Sequence, residues 1–145
     1  MITKILVALD IADEASSEHL LKTASDLSKL HSAELHALMV VPTYRMPLVG
    51  SYFEPKDEEA MLRRAKEAFL SFLQDKAPEE QQVKGHIAHG TIYDEINRVA
   101  ESLGCQLIVL GAHRPELSDY LLGPNAARVV RHARQSVYVV RDDTE

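Results

Sequence analysis

What most constrains the fold of this chain is a rhythm. Short, continuous apolar runs alternate with longer stretches of helical period from the first residues to the last. Ile5-Leu6-Val7-Ala8-Leu9 forms the core of a run over residues 4–9, the pattern of a strand buried on both faces. Asp10 and Asp13 end it, and either can cap free N–H groups at a helix start. Leu20, Ala24 and Leu27 then recur at helical spacing over residues 13–30, and His31 continues that spacing with a polar side chain. Residues 34–41 read as a second strand ending at Pro42, and 58–76 as an amphipathic helix with Leu62, Ala65, Phe69, Phe72 and Leu73 on one face. A third strand is expected over 83–89. The spacing of Ile92, Ile96, Val99, Ala100 and Leu103 predicts a further helix. Residues 107–110 form a fourth strand closing on Gly111, 126–133 a short last helix, and 137–140 a fifth strand.

Five strands alternating with four helices make an α/β chain with right-handed crossovers and a parallel sheet. No internal repeat, linker or low-complexity segment interrupts the alternation, so residues 1–145 are expected to form a single domain. A chain of this length buries roughly 68–70% of its unfolded surface, enough for one core without staples. With 46% apolar and 26% charged residues, disorder is not expected.

Charge and cysteine content narrow the function. A net charge of −6 argues against a nucleic-acid partner, because phosphate backbones attract basic surfaces. The one cysteine, Cys105, allows neither an internal disulfide nor a cysteine-based metal site. The first apolar run is about half a signal-peptide core, and no run approaches the roughly 18 residues of a membrane span. A cytoplasmic location without membrane insertion is the expectation.

In an open α/β sheet, ligands bind beyond the carboxyl ends of the strands, where the strand order reverses. That places the candidates at Asp10, at Val40 and Val41, at His89-Gly90-Thr91, and from Gly111 onward. The last stretch is the most unusual: Gly111-Ala112-His113-Arg114-Pro115, then Leu121-Leu122-Gly123-Pro124-Asn125-Ala126. Two readings fit it. Glycine admits close approach of a ligand to the backbone, a glycine opening a helix presents N–H groups to an anion, and His113 and Arg114 add polar and cationic groups. Together these would cradle a phosphate chain. Alternatively, the glycines serve a turn and a helix cap, with Arg114 on the surface. The long segment Thr43–Lys56, with Tyr44, Met46, Leu48, Val49, Tyr52 and Phe53, is similarly open between a functional lid and an apolar loop packed on its own domain.

The run Ile5-Leu6-Val7-Ala8-Leu9-Asp10, Gly90 ahead of a helix, and the stretch Gly111 to Arg141 resemble the universal stress protein family. The tail, with His113-Arg114-Pro115, Tyr120-Leu121-Leu122-Gly123, Asn125-Ala126-Ala127 and Val129-Val130-Arg131-His132-Ala133, is similar to its F/G-type branch in particular. The resemblance spans essentially the whole chain and favours the phosphate reading. It implies a five-stranded sheet in order 3-2-1-4-5 with helices on both faces, the adenine nucleotide alpha hydrolase-like arrangement. Nucleotide-binding members hold ATP at the switch point with a pattern of Gly, two residues, Gly, nine residues, Gly and Ser or Thr. By that resemblance Gly111 matches the first glycine and Gly123 the last. Asp10 matches the acidic residue near the ribose, Ala8 and Leu9 are its strand neighbours, and Val40 meets adenine through its backbone. Asn125 and Ala126 supply the N–H groups of the last helix.

The chain departs from the general pattern at Arg114, which replaces the middle glycine, and in a spacer one residue shorter; the F/G-type branch shares both. Pro124 is the sharper departure, since that branch usually has Ser there. Proline offers neither hydroxyl nor N–H, although it suits the first helical position. Each hydrogen bond to a charged group is worth roughly 1.5–3 kcal/mol, so a weaker grip on phosphate is expected rather than none.

Other signals carry less. Cys105 reads as a small buried apolar residue. His86 and His89 are three apart in a strand and point to opposite faces, and the remaining histidines show no converging ligand spacing. Arg131, His132 and Arg134 suit the dipole of a helix end. A phospho-receiver domain needs an aspartate closing its third strand, where this chain has His89. No nucleophile elbow and no lysine-containing phosphate loop is present.

The resemblance implies a stress-response regulatory protein that binds an adenine nucleotide (ATP, or AMP or ADP, with or without Mg2+) and forms a homodimer, commonly through the last strand, here Ser136–Val140. The rivals are a nucleotide-free dimeric interaction module, favoured by Pro124, and a slow ATP hydrolase, for which Asp10 and His113 are the candidate water-activating groups.

Overall fold

The computed structural model describes residues 1–42, 55–112 and 123–141. In chain order these form β1 (Lys4–Ala8), α1 (Glu14–His31), β2 (Glu34–Pro42), α2 (Pro55–Lys76), β3 (Val83–Gly90), α3 (Ile92–Leu103), β4 (Leu107–Gly111), α4 (Pro124–His132) and β5 (Ser136–Val140). All strand pairs are parallel, in the order β3-β2-β1-β4-β5. β1 therefore lies between β2 and β4. The chain winds outward to β3 on one side, then crosses to β4 and β5 on the other.

The inner strands β1, β2 and β4 are largely apolar on both faces because each face is covered. Ile5, Val7, Leu35, Ala37, Leu107 and Val109 pack against Leu20, Leu21 and Ala24 of α1 and Phe69, Phe72 and Leu73 of α2. The intervening Leu6, Leu38, Ala88, Ile108 and Leu110 meet Ile96, Val99 and Ala100 of α3 and Ala126 and Val129 of α4. Alternation along the strands thus sorts the side chains into two cores, one per face.

The helix ends follow local chemistry. Asp13 caps α1, accepting from the Ser16 N–H at 3.2 Å, as its position after β1 predicts. Gly104 closes α3 in the left-handed region (φ +74°), with the Cys105 N–H reaching back to the Ala100 carbonyl at 2.9 Å. Ser32 does the same for α1 at φ +52°, a conformation that costs a side-chain-bearing residue more.

The boundaries differ from expectation at two helices that start with proline. α2 begins at Pro55 rather than Glu58, taking in two residues of the expected loop, and α4 begins at Pro124 rather than 126 and ends at His132. Proline's fixed φ and missing N–H suit the first helical position, where no intrahelical acceptor exists for that N–H. Arg134 accordingly lies past the end of α4, where its guanidinium is 3.6 Å from Glu101. The remainder of the segment read as lid or packed loop lies outside the described residues.

Candidate nucleotide site

The carboxyl ends of β1, β2 and β4 open onto a cavity of about 390 Å3, lined by these strand ends together with α1, α3 and α4. That volume is within the range of small-molecule sites. The cavity sits at the switch point because β1 sends its neighbours in opposite directions, leaving a crevice past its last paired residue.

The loop from β1 to α1 is tightly built. The Asp10 carbonyl accepts from the Asp13 N–H at 3.1 Å and from the Ser17 hydroxyl at 2.6 Å, while the Asp10 carboxylate accepts from the Ala12 N–H at 3.1 Å. The Asp10 side chain is thereby held at the cavity edge, exposed, beside Ala8 and Leu9.

β2 contributes Leu38, Val40 and Pro42. Pairing with β1 stops at Ala8–Leu38, one further bond running from the Leu9 N–H to the Leu38 carbonyl at 2.9 Å. In a strand, the main-chain groups of alternate residues point toward the same neighbour, so those of Val40 point past the end of β1 into the cavity. Opposite them, Ile92 and Ile96 of α3 supply an apolar wall.

α4 brings Asn125 and Ala126 to the far side. The first N–H groups of a helix have no intrahelical acceptor, and at α4 the Gly123 cap offers no side-chain bond in their place. The first turn of α4 also carries no acidic residue, whereas those of α1 and α3 carry Glu14 and Asp94 with Glu95. The positive end of the α4 dipole is therefore uncompensated by its own turn, and it faces the cavity. Pro124 removes one N–H from this set, as its chemistry requires.

Of the residues singled out from sequence, Ala8, Leu9, Asp10, Val40, Gly111, Asn125 and Ala126 line this one cavity. Gly123 and Pro124 are not among its lining residues; they precede Asn125 as cap and first residue of α4. His113 and Arg114 lie outside the described residues. Gly111 owes its size to packing as much as to any ligand: a Cβ there would lie 3.2 Å from Leu20 Cδ1 of α1. The next amide, that of Ala112, is spent on the Val140 carbonyl at 3.0 Å, so among the described residues the open donors on this side are those of α4. Ser16, Leu38, Ile92 and Ile96 were missed from sequence. The Asp13-x-x-Ser16 spacing was the one available signal, since it places Ser16 in the first turn behind the cap.

Two groups set aside from sequence have structural explanations or partners. Cys105 is buried, and desolvation pushes its thiol up to about 11, the state of an inert core sulfur. His86 does face away from His89, which sits 3.2 Å from Glu58, but it meets His36 of β2, a contact between strands that spacing along one strand does not reveal.

Comparison with known proteins agrees with this architecture. The model of the universal stress protein family matches residues 1–141. Proteins called Universal stress protein G from Escherichia coli O157:H7 and Shigella flexneri are each 29% identical over 143 residues, 97% of this chain and 100% of theirs. Among solved structures, hypothetical protein MJ0577 superposes with a TM-score of 0.80 at 25% identity, covering 100% of this chain and 99% of its own. Universal stress protein UspA from Lactobacillus plantarum gives 0.74 at 29% identity, covering 97% and 98%. The same fold is shared at 19% identity by a universal stress protein in complex with cAMP (TM-score 0.63, covering 97% of each chain). It is shared, also at 19%, by one from Archaeoglobus fulgidus in complex with dAMP (0.62, covering 96% and 98%). With its strand order and a family match running along residues 1–141, this chain belongs to the universal stress protein family.

Proposed function

We propose that this chain binds an adenine nucleotide in the switch-point cavity and acts as a regulatory protein whose conformation or partner binding the nucleotide biases. One observation carries the reading. A single cavity joins an apolar slot edged by the main chain of Val40 to the acid-free N-terminus of α4. The first suits adenine and the second suits phosphate, and Asp10 lies where a ribose hydroxyl would find an acceptor. The cAMP and dAMP complexes of two family members with this fold support the choice of ligand.

In this reading Ala8, Leu9, Asp10 and Val40 hold the nucleoside. Gly111, Gly123, Asn125 and Ala126 surround the phosphates together with His113 and Arg114, and Pro124 weakens the grip. Among the described residues no group of three His, Cys, Asp or Glu side chains is placed to hold a metal ion, so Mg2+ would arrive on the phosphates of ATP. The chain acts as one domain in the cytoplasm, in the response to stress. It pairs with a second copy through Ser136–Val140: β5 stands at one edge of the sheet with Tyr138 46% exposed, and a bare edge strand favours pairing. Sedimentation tests the dimer, and a monomer at micromolar concentration would remove it.

The ligand is tested by heating the purified protein and identifying any nucleotide released, then titrating ATP by calorimetry with and without Mg2+. An adenine nucleotide in the extract, or saturable heat, is expected. No released nucleotide, no heat and no thermal shift at millimolar ATP would overturn the reading in favour of the nucleotide-free interaction module, which Pro124 favours.

A further inference from the structure

His36 of β2 and His86 of β3 meet beneath the cavity, on the sheet face covered by α3 and α4. His36 is the next residue down that face from Leu38, and His86 is the register partner of Leu38. His36 Nδ1 lies 2.8 Å from His86 Nε2, with the rings stacked at 5.1 Å between centroids. His36 is 4% exposed, and its other nitrogen, Nε2, is buried with no hydrogen bond, 3.3 Å from Glu34 Oε1. That carboxylate is already engaged by Lys84 Nζ at 2.5 Å.

We propose that the His36–His86 pair is an acid-sensitive latch, fastening edge strand β3 to β2 at neutral pH and releasing it when both rings take up a proton. With both rings neutral, one offers an N–H and the other a lone pair. One added proton leaves that bond intact. A second sets two N–H donors against each other at hydrogen-bond distance, in a largely apolar layer. Among the described residues β3 has only β2 as a strand neighbour, so the strain falls on that ladder.

The surroundings oppose the second charge. Burial lowers the proton affinity of both rings; the partner imidazole and Lys84 add to this at His36, with Glu34 opposing, and Lys84 adds to it at His86. Lys4 of β1 acts on Glu34 rather than on the rings, and the Cys105 thiol ahead of β4 stays neutral. On α3, Glu95 and Arg98 bind each other, while Glu101 binds Gln135 and Arg134; none acts on either ring. Because both folded-state affinities lie below the ordinary histidine value, the pair's contribution is complete above about pH 6.5 and is lost as pH falls below it.

The test is hydrogen exchange on the full chain at pH 7.5 and 5.5, corrected for intrinsic rates, alongside ring titrations by NMR. Protection of β3 amides is therefore expected to fall by more than about twofold beyond that of β1 amides between the two pH values, with both rings titrating below 6.5. In His86→Gln, whose amide can still donate to His36, the β3-specific loss should shrink to less than about twofold. Rings titrating at or above 6.5, parallel losses in β3 and β1, or an undiminished β3 response in the variant would each overturn the proposal.

Discussion

Asn125→Asp separates the two roles of the α4 N-terminus. Asn125 is the second residue of the helix, half-buried and facing the cavity, and the first turn has no acidic side chain. The replacement keeps the shape and adds one negative charge. For the fold the charge is favourable: a carboxylate at a helix N-terminus contributes about 0.3–1 kcal/mol. For a phosphate in the cavity it is unfavourable. Two unit charges about 4 Å apart repel by about 1 kcal/mol in water and about 4 kcal/mol near a protein surface. At about 1.4 kcal/mol per factor of ten, even the lower figure weakens binding about fivefold. The variant should therefore melt higher without ligand and bind ATP at least about fivefold more weakly, while adenosine, which lacks phosphate, binds both forms alike. Thermal unfolding and calorimetric titration of the two ligands measure all three quantities. A variant that is stabilised yet binds ATP with undiminished affinity would refute the placement of phosphate at α4.

Four further outcomes follow from the structure. Pro124→Ser restores an N–H and a hydroxyl at the head of α4, and should tighten ATP binding about ten- to a hundredfold while costing about 0.4–1 kcal/mol of stability through lost rigidity; unchanged affinity by calorimetry would show the phosphates lie elsewhere. Gly104→Ala meets nothing within 4 Å of the new Cβ, so its cost, about 1 kcal/mol by denaturant titration, is purely that of φ +74°. Ser32→Gly, at φ +52°, should gain about 0.5–1 kcal/mol by the same argument, and equal signs for the two changes would contradict it. Finally, Cys105, 4% exposed with its thiol pushed up to about 11, should react with a thiol reagent at pH 8 only after unfolding; rapid labelling of the native chain would contradict its burial.

Much of this molecule was legible in order along the chain, because strand and helix periods are local properties. The apolar run at residues 4–9 and the helical spacing from Ile92 to Leu103 each needed only neighbours to be recognised. Boundaries slipped at Pro55 and Pro124, where proline opens a helix while reading as a loop residue. That Asp10, Val40 and Asn125 would line one cavity was legible because parallel sheets open a crevice beyond their strand ends, and family resemblance pointed to these residues there.

Tertiary structure decided what depends on distance between elements. That the Val40 main chain reaches past β1 follows from where β1 stops pairing, and that Gly111 is small follows from Leu20 on a helix some ninety residues earlier. The His36–His86 contact joins residues fifty positions apart through a parallel register that no local period encodes. Periodicity along a chain records which face a residue turns toward its neighbours; only the packed sheet determines which other residue it meets there.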